Sequence, residues 1–382
     1  MKSLTIVVLV RHTSIMSNGV LIVKKRNNSM KLIKTSWNKE KKLEIPRNVM
    51  DNIAARGSFV VVKSKYLFRD INEKENVEQE NTINNIDINF TEHLNHKIKE
   101  MNFGMWLENI AQNMDYIKKH SDISKIPKSN GKTAIILGAG PSFREKNHIR
   151  FLKNLDPEKY SVFSTDRMFI PLLENNVIPD FVLSADGHRE KITPFFTSDL
   201  IKKDLKTSAV MSISVANNVV SLFSGNMFFF TPMLDNIEVP FSVSSALSIM
   251  TRTSILSTGG NVGITGIFLA YYLGYKKIIL IGMDHGYTLN TPIEQSNYYP
   301  IVKEVDPEIT PEIYKELYTV EGYNKDFNLK YWTDITWKSQ IDHIITESET
   351  MAKQGVTLIN ATEGGAIHGG AIRCMTFEEA LS

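Results

Sequence analysis

One cysteine, Cys374, is all that the 382 residues contain. That excludes an internal disulfide framework and any metal site built from several thiolates. Long apolar runs are missing too, and no stretch reaches the ~20 residues that a membrane helix needs. Residues 4–10 have the look of a signal-peptide core. Arg11 and His12 cut it short and no small-residue cleavage site follows, so the run reads as a strand. Excess charge is also absent: 44 Lys and Arg stand against 42 Asp and Glu, a net charge of +2 that does not call for nucleic acid as a partner. His188, His285 and His368 have no partner four residues away, so zinc spacing is absent and no metal-ligand set is read. Nor is there a Gly-x-Ser-x-Gly elbow, and a single cysteine near the tail is a poor nucleophile candidate. What remains is an ordinary globular composition, with 42% hydrophobic residues and length enough for two or three domains. A cytoplasmic protein is the expectation.

Charge is nevertheless uneven along the chain. Residues 1–65 carry 14 Lys or Arg against 3 Asp or Glu, with strand-like runs at 5–10, 20–23 and 59–62. A small β module with solvated lysines explains this, and so does a basic face that meets an acidic partner. Residues 70–90 invert the sign and read as a linker. Phe103, Trp106, Leu107, Ile110, Met114 and Ile117 then recur at helical spacing, predicting a helix over 92–119.

From 132 onward short apolar runs alternate with helical patterns. Strands are predicted at 134–137, 161–164, 181–184, 209–213, 227–230, 278–281 and 356–359, and a helix at 261–273. Such alternation argues an α/β fold: a mostly parallel sheet flanked by helices, with the small β-rich module before it. The resulting division is a basic β-rich module at 1–90, a helical connector at 91–131, and the main α/β domain at 132–382. An insert at about 287–335, rich in Asn, Pro and Tyr, interrupts that domain and reads as a weakly structured lid or acceptor-binding loop.

Ligands of open α/β sheets bind beyond the carboxyl ends of the strands. There the chain carries Gly138-Ala139-Gly140-Pro141-Ser142, a strand–turn–helix opening. Gly138 and Gly140 permit close backbone approach, while Pro141 and Ser142 start a helix whose positive end suits a phosphate. Gly259, Gly260 and Asn261 open a second helix in the same way. Asp166 follows the 161–164 strand and suits a ribose hydroxyl or the orienting of a base. Asp186 with His188, and Asp284 with His285, follow two further strands and suit acid–base chemistry. Aspartate after a strand is also a common turn former, but three of them share one edge.

In combination these stretches resemble the family that holds archaeal 6-hydroxymethylpterin diphosphokinase (MptE-like) and the motility-associated Maf glycosyltransferases. The resemblance rests on Gly138–Ser142, residues 179–186, residues 258–263, residues 279–284 and residues 360–365 (Asn-Ala-Thr-Glu-Gly-Gly), and it covers roughly 100–380. It implies a Rossmann-like α/β domain at 132–382 that acts as a nucleotide-binding transferase, with a nucleotide-linked donor at the Gly138 turn. One branch implies transfer of a sialic-acid-like nonulosonic sugar from CMP to a hydroxyl of a glycan, protein or small-molecule acceptor, with no cofactor required. The other implies diphosphate transfer from ATP with magnesium, for which Asp186 and Asp284 are candidates. A third reading is a nucleotide-sugar-binding module without turnover. The segment Asp284-His285-Gly286-Tyr287 departs from the Asp-Leu-Ala pattern of the flagellin-modifying members.

Overall fold

The computed structural model describes the backbone of residues 5–11, 18–26 and 29–35, and of residues 84–382 apart from 202–204 and 239–241. Side chains are described from residue 102 onward, apart from those two gaps and residue 305. Near the N-terminus β1 (Thr5–Arg11), β2 (Asn18–Arg26) and β3 (Ser29–Thr35) pair antiparallel into one small sheet. The strand expected at 59–62 and residues 70–83 of the linker expected at 70–90 lie outside the described residues, while residues 84–90 are helical rather than linker. The predicted helix exists and is longer than expected, running over Asn84–Lys119.

The main sheet is built from ten strands, and every neighbouring pair in it is parallel. In chain order these begin with β4 (Ser121–Asp122), β5 (Thr133–Leu137), β6 (Tyr160–Thr165), β7 (Phe181–Ser184) and β8 (Ser208–Ser212). Next come β9 (Met227–Pro232), β10 (Ile255–Leu256) and β11 (Lys277–Ile281). An insert then supplies β12 (Tyr287–Thr288), β13 (Thr319–Asn324) and β14 (Leu329–Asp334) as a separate sheet, before β15 (Thr357–Asn360) and β16 (Arg373–Cys374) complete the main one. The spatial order is β10-β9-β8-β7-β6-β5-β11-β15-β16, with β4 beside β9. From β5 the chain therefore walks outward one way through β10 and then returns to the other side of β5 with β11. That reversal makes the β5–β11 boundary the topological switch point.

Why the strands read as unbroken apolar runs is visible in β5 and β11. Ala134 and Ile136, with Ile278 and Leu280, face a core formed with helix Val262–Tyr272. Ile135 and Leu137, with Ile279 and Ile281, face the opposite core, which holds Phe143, Met168, Leu172 and Phe377. Both faces are covered, so no polar alternation is tolerated. Further out, Val182, Ala209, Met211 and Phe229 pack on Ile110, Met114 and Ile117 of helix Asn84–Lys119. The C-terminal half of that helix is thus a layer of the sheet domain, and β4 follows it directly into the sheet.

The insert corrects one expectation. It is a folded subdomain with its own antiparallel sheet in the order β12-β14-β13, helices Tyr299–Val305 and Pro311–Tyr318, and a core of Ile293, Tyr299, Ile309, Tyr314 and Trp332.

Candidate active site at the carboxyl rim

The two turns at the switch point are bound to each other. Gly138 N donates to Ile281 O at 2.9 Å and Gly140 N donates to Gly282 O at 2.8 Å. A Cβ on Gly138 would strike Gly282 O and Met283 Sδ; one on Gly140 would strike the Asp284 carboxylate and Gly282 O. Gly263 leaves room for Met283 and Gly365 for the Asp284 backbone in the same manner. These glycines admit the protein's own Gly282–Asp284 turn, where the sequence suggested room for a ligand.

Asp284 also fills the mouth of the Gly138 turn. Ser142 Oγ donates to Asp284 Oδ2 at 2.7 Å, and Ser142 N approaches Oδ1 at 3.4 Å. The helix Ser142–Glu145 is a single turn, and the N–H groups of Phe143 and Arg144 go to Gly140 O and Pro141 O. A carboxylate of the chain therefore occupies the place expected for a phosphate. Burial pushes the Asp284 carboxyl up to about 6, with the Ser142 hydrogen bonds opposing. The 360–365 stretch braces this turn from β15: Asn360 holds Thr362 N and Ile367 O, and Thr362 Oγ1 accepts from Met283 N at 3.2 Å.

His285 sits behind it in left-handed backbone (φ 46°) and is buried. Asn261 Nδ2 donates to His285 Nε2 at 2.8 Å and to Gln340 Oε1 at 2.6 Å, while Asn261 Oδ1 caps the helix by accepting from Ile264 N at 2.9 Å. With a donor at Nε2, the network assigns the ring proton to Nδ1, on the side of the Met283 carbonyl. Burial holds the imidazole down to about 4. His285 is thus neutral with its lone pair taken, and Asn261 has both ends of its amide engaged. Gly259 (φ 55°) and Gly260 (φ 94°) supply the left-handed turn before this cap. His285 also packs on Trp337, which continues through Tyr287 (5.0 Å between centroids) to Trp332 (4.3 Å) and so ties the insert to the rim.

Asp186 and His188 are placed differently. They lie in the turn after β7, with side chains 40% and 39% exposed. Asp186 Oδ1 accepts from His188 N at 2.8 Å and lies 2.9 Å from His188 Nδ1. A proton on Nδ1 shared with the carboxylate leaves the Nε2 lone pair free to accept another. One strand nearer the switch point, Asp166 is buried; its Oδ1 accepts from Arg167 N at 2.8 Å, and its Oδ2 has no hydrogen bond of normal geometry among the described residues. Burial pushes its carboxyl up to about 6, with the Arg167 amide and the neighbouring Ser184 opposing. The structure thus gathers the candidates on one rim but divides them. Ser142, Asn261, Asp284 and His285 bond to the protein, whereas Asp186 and His188 are open. Sequence reasoning missed Gln340 and Asn109. The latter is a polar residue inside the apolar stripe of its helix, which is the signal that marks it.

Fold and rim together define an α/β protein of the Rossmann-like class. The family model described as 6-hydroxymethylpterin diphosphokinase MptE-like matches residues 106–290. A 6-hydroxymethyl-7,8-dihydropterin pyrophosphokinase of Methanocaldococcus jannaschii is 30% identical over 195 residues, covering 50% of this chain and 73% of that protein. Its counterpart in Methanothermobacter thermautotrophicus is 31% identical over 153 residues, covering 40% and 57%. A solved structure of a Maf glycosyltransferase from Magnetospirillum magneticum AMB-1 aligns with 70% of this chain and 38% of that one, at 16% identity and a TM-score of 0.47. This chain belongs to the MptE-like family and stands among transferases. Among the described residues no helix is long and apolar enough to cross a membrane.

Proposed function

We propose that this protein transfers a group from a nucleotide-linked donor to an acceptor hydroxyl at the carboxyl rim, the group being a nonulosonic sugar carried by CMP. The observation that carries the transfer is the open Asp186–His188 pair. His188 Nε2 takes the acceptor proton, and Asp186 steadies the imidazolium that forms. The acceptor oxygen attacks the anomeric carbon, and the bond from that carbon to the phosphate oxygen breaks, so CMP leaves with the electron pair. Asp166, buried one strand nearer the switch point, is the carboxylate assigned to the donor's ribose. The sugar reading is supported by the resemblance to the Maf branch and by the folded insert, which lies almost wholly beyond the residues matched by the family model.

A second reading, diphosphate transfer from ATP to a hydroxymethylpterin, is favoured by the names of both curated relatives. It uses the same base on a different hydroxyl. Magnesium would accompany ATP and neutralise its phosphates, and such an ion needs only one or two carboxylates from the protein. Asp186 fits, because its Oδ2 is unengaged among the described residues and the side chain is open. Asp284 does not, because Ser142 holds both its oxygens.

Calorimetric titration with CMP and ATP, each with and without EDTA, tests the donor. Release of CMP from a CMP-linked nonulosonic acid, or of AMP from ATP with the pterin, tests turnover. CMP binding that survives EDTA, with turnover lost in Asp186→Asn and His188→Ala by roughly 10²–10⁴-fold, is the expected result. ATP binding that vanishes with EDTA selects the kinase. Binding of either nucleotide with no turnover leaves a binding module.

A further inference from the structure

The turn that carries Asp186 and His188 is held from outside as well as by its own Asp186–His188 hydrogen bonds. Its central residue, Gly187, is pressed by helix Asn84–Lys119: a Cβ there would meet Asn109 Nδ2, Met105 Cε and Trp106 Cδ1, each at 3.0 Å. Asn109 Nδ2 donates to Gly187 O at 3.0 Å and also to Ser214 O at 3.1 Å in the turn after β8. One amide thus joins two strand-end turns, and the β8 side holds on from beneath as Ala216 N donates to Asp186 O at 3.1 Å. Asn113, one helical turn later, looks alike but acts elsewhere. Its Nδ2 donates to Ile213 O and Val215 O, both in the β8 turn, and it makes no bond to the β7 turn.

We propose that Asn109 is a positioning residue for the reaction, setting the Asp186–His188 pair by holding the carbonyl of the residue between them. This rests on the reading of that pair as the base. The peptide plane between Gly187 and His188 fixes where the His188 N–H and side chain point. Both reach the same oxygen of Asp186, at 2.8 and 2.9 Å. If the Gly187 carbonyl is released, that plane can rotate, and the imidazole leaves the carboxylate that fixes its proton on Nδ1. The base then samples both tautomers and loses its aim at the acceptor. Gly187 has to be glycine for the same reason: a methyl group there pushes on the amide that clamps it.

Asn113 provides the control, because it is a buried asparagine on the same helix with the same number of carbonyl partners. The test compares Asn109→Ala, Gly187→Ala and Asn113→Ala in the full chain. Two readouts are taken: the tautomer of His188 by nitrogen NMR, and kcat against donor KM in the CMP- or AMP-release assay. Asn109→Ala and Gly187→Ala are expected to turn a single Nδ1–H tautomer into a mixture. They should lower kcat by about tenfold or more with donor KM little changed, as misplacement of a reacting group does. Asn113→Ala should lower thermal stability while keeping the wild-type tautomer and kcat. If Asn113→Ala reproduces the mixture, or Asn109→Ala leaves the tautomer intact, positioning by Asn109 is wrong and the helix is only a structural layer. If the tautomer shifts as expected while His188→Ala turns over normally, the positioning stands and the base assignment falls.

Discussion

Replacing Asp284 by asparagine should stabilise the protein above neutral pH. The carboxyl is packed against Ser142 and the Gly138 turn, and burial raises it from 3.8 to about 6. A raised folded-state value means that the folded protein holds this proton more tightly than the unfolded chain. Stability from this group is therefore fully present below about pH 4 and lost as the pH climbs through 6. The shift corresponds to about 3 kcal/mol, and access of water at the rim reduces the realised figure to about 1–3 kcal/mol. Asparagine keeps an acceptor for Ser142 N and presents a donor to Ser142 Oγ, yet never ionises. Urea denaturation at pH 4 and pH 8 measures the effect: the two proteins should agree at pH 4 and separate by that amount at pH 8. Asp166 and Asp334 are also raised to about 6 by burial, so the variant will keep part of the alkaline loss, and the difference between proteins is the quantity to read. An Asp284→Asn protein no more stable than wild type at pH 8 would refute the argument that this carboxylate is held in the cradle against its own solvation.

Three further outcomes follow from the packing. Gly140→Ala should destabilise by about 1–3 kcal/mol in chemical denaturation even without ligand, because its Cβ meets Asp284 and the Gly282 carbonyl. Asn261→Ala removes a helix cap and the partner of His285 together, so a loss of about 2–3 kcal/mol is expected by the same measurement. A chain starting at Asn84 should remain folded and bind nucleotide as the full chain does, which circular dichroism and calorimetry would check; failure to fold would show that residues 1–83 are integral.

The central strands were legible because burial on both faces writes itself as apolar runs: 181–184 matches β7 residue for residue, and 278–281 misses only Lys277 of β11. β4, β10 and β16 were not, since two residues at a sheet edge leave no periodic signal. The insert hid for another reason. Its strands are filled by Tyr, Trp, Thr and Asn, and Gly322 makes way for the Tyr331 ring, so apolar alternation never develops. At the rim the sequence showed which residues gather but not which are already spoken for. Gly138, Gly140 and Asn261 look identical whether their neighbour is a ligand or Met283, Asp284 and His285, because that depends on contacts 24 to 145 residues away.

The pairing of Tyr287 with Trp332 has a consequence for engineering. These residues are cross-strand partners where the chain enters and leaves the insert, so the two stems stand side by side as neighbouring strands. The roughly forty residues between them can be exchanged for a short hairpin loop without drawing on any hydrogen bond of the main sheet. Subdomains from other members could be grafted at the same two stems while the turn that carries Asp186 and His188 stays in place.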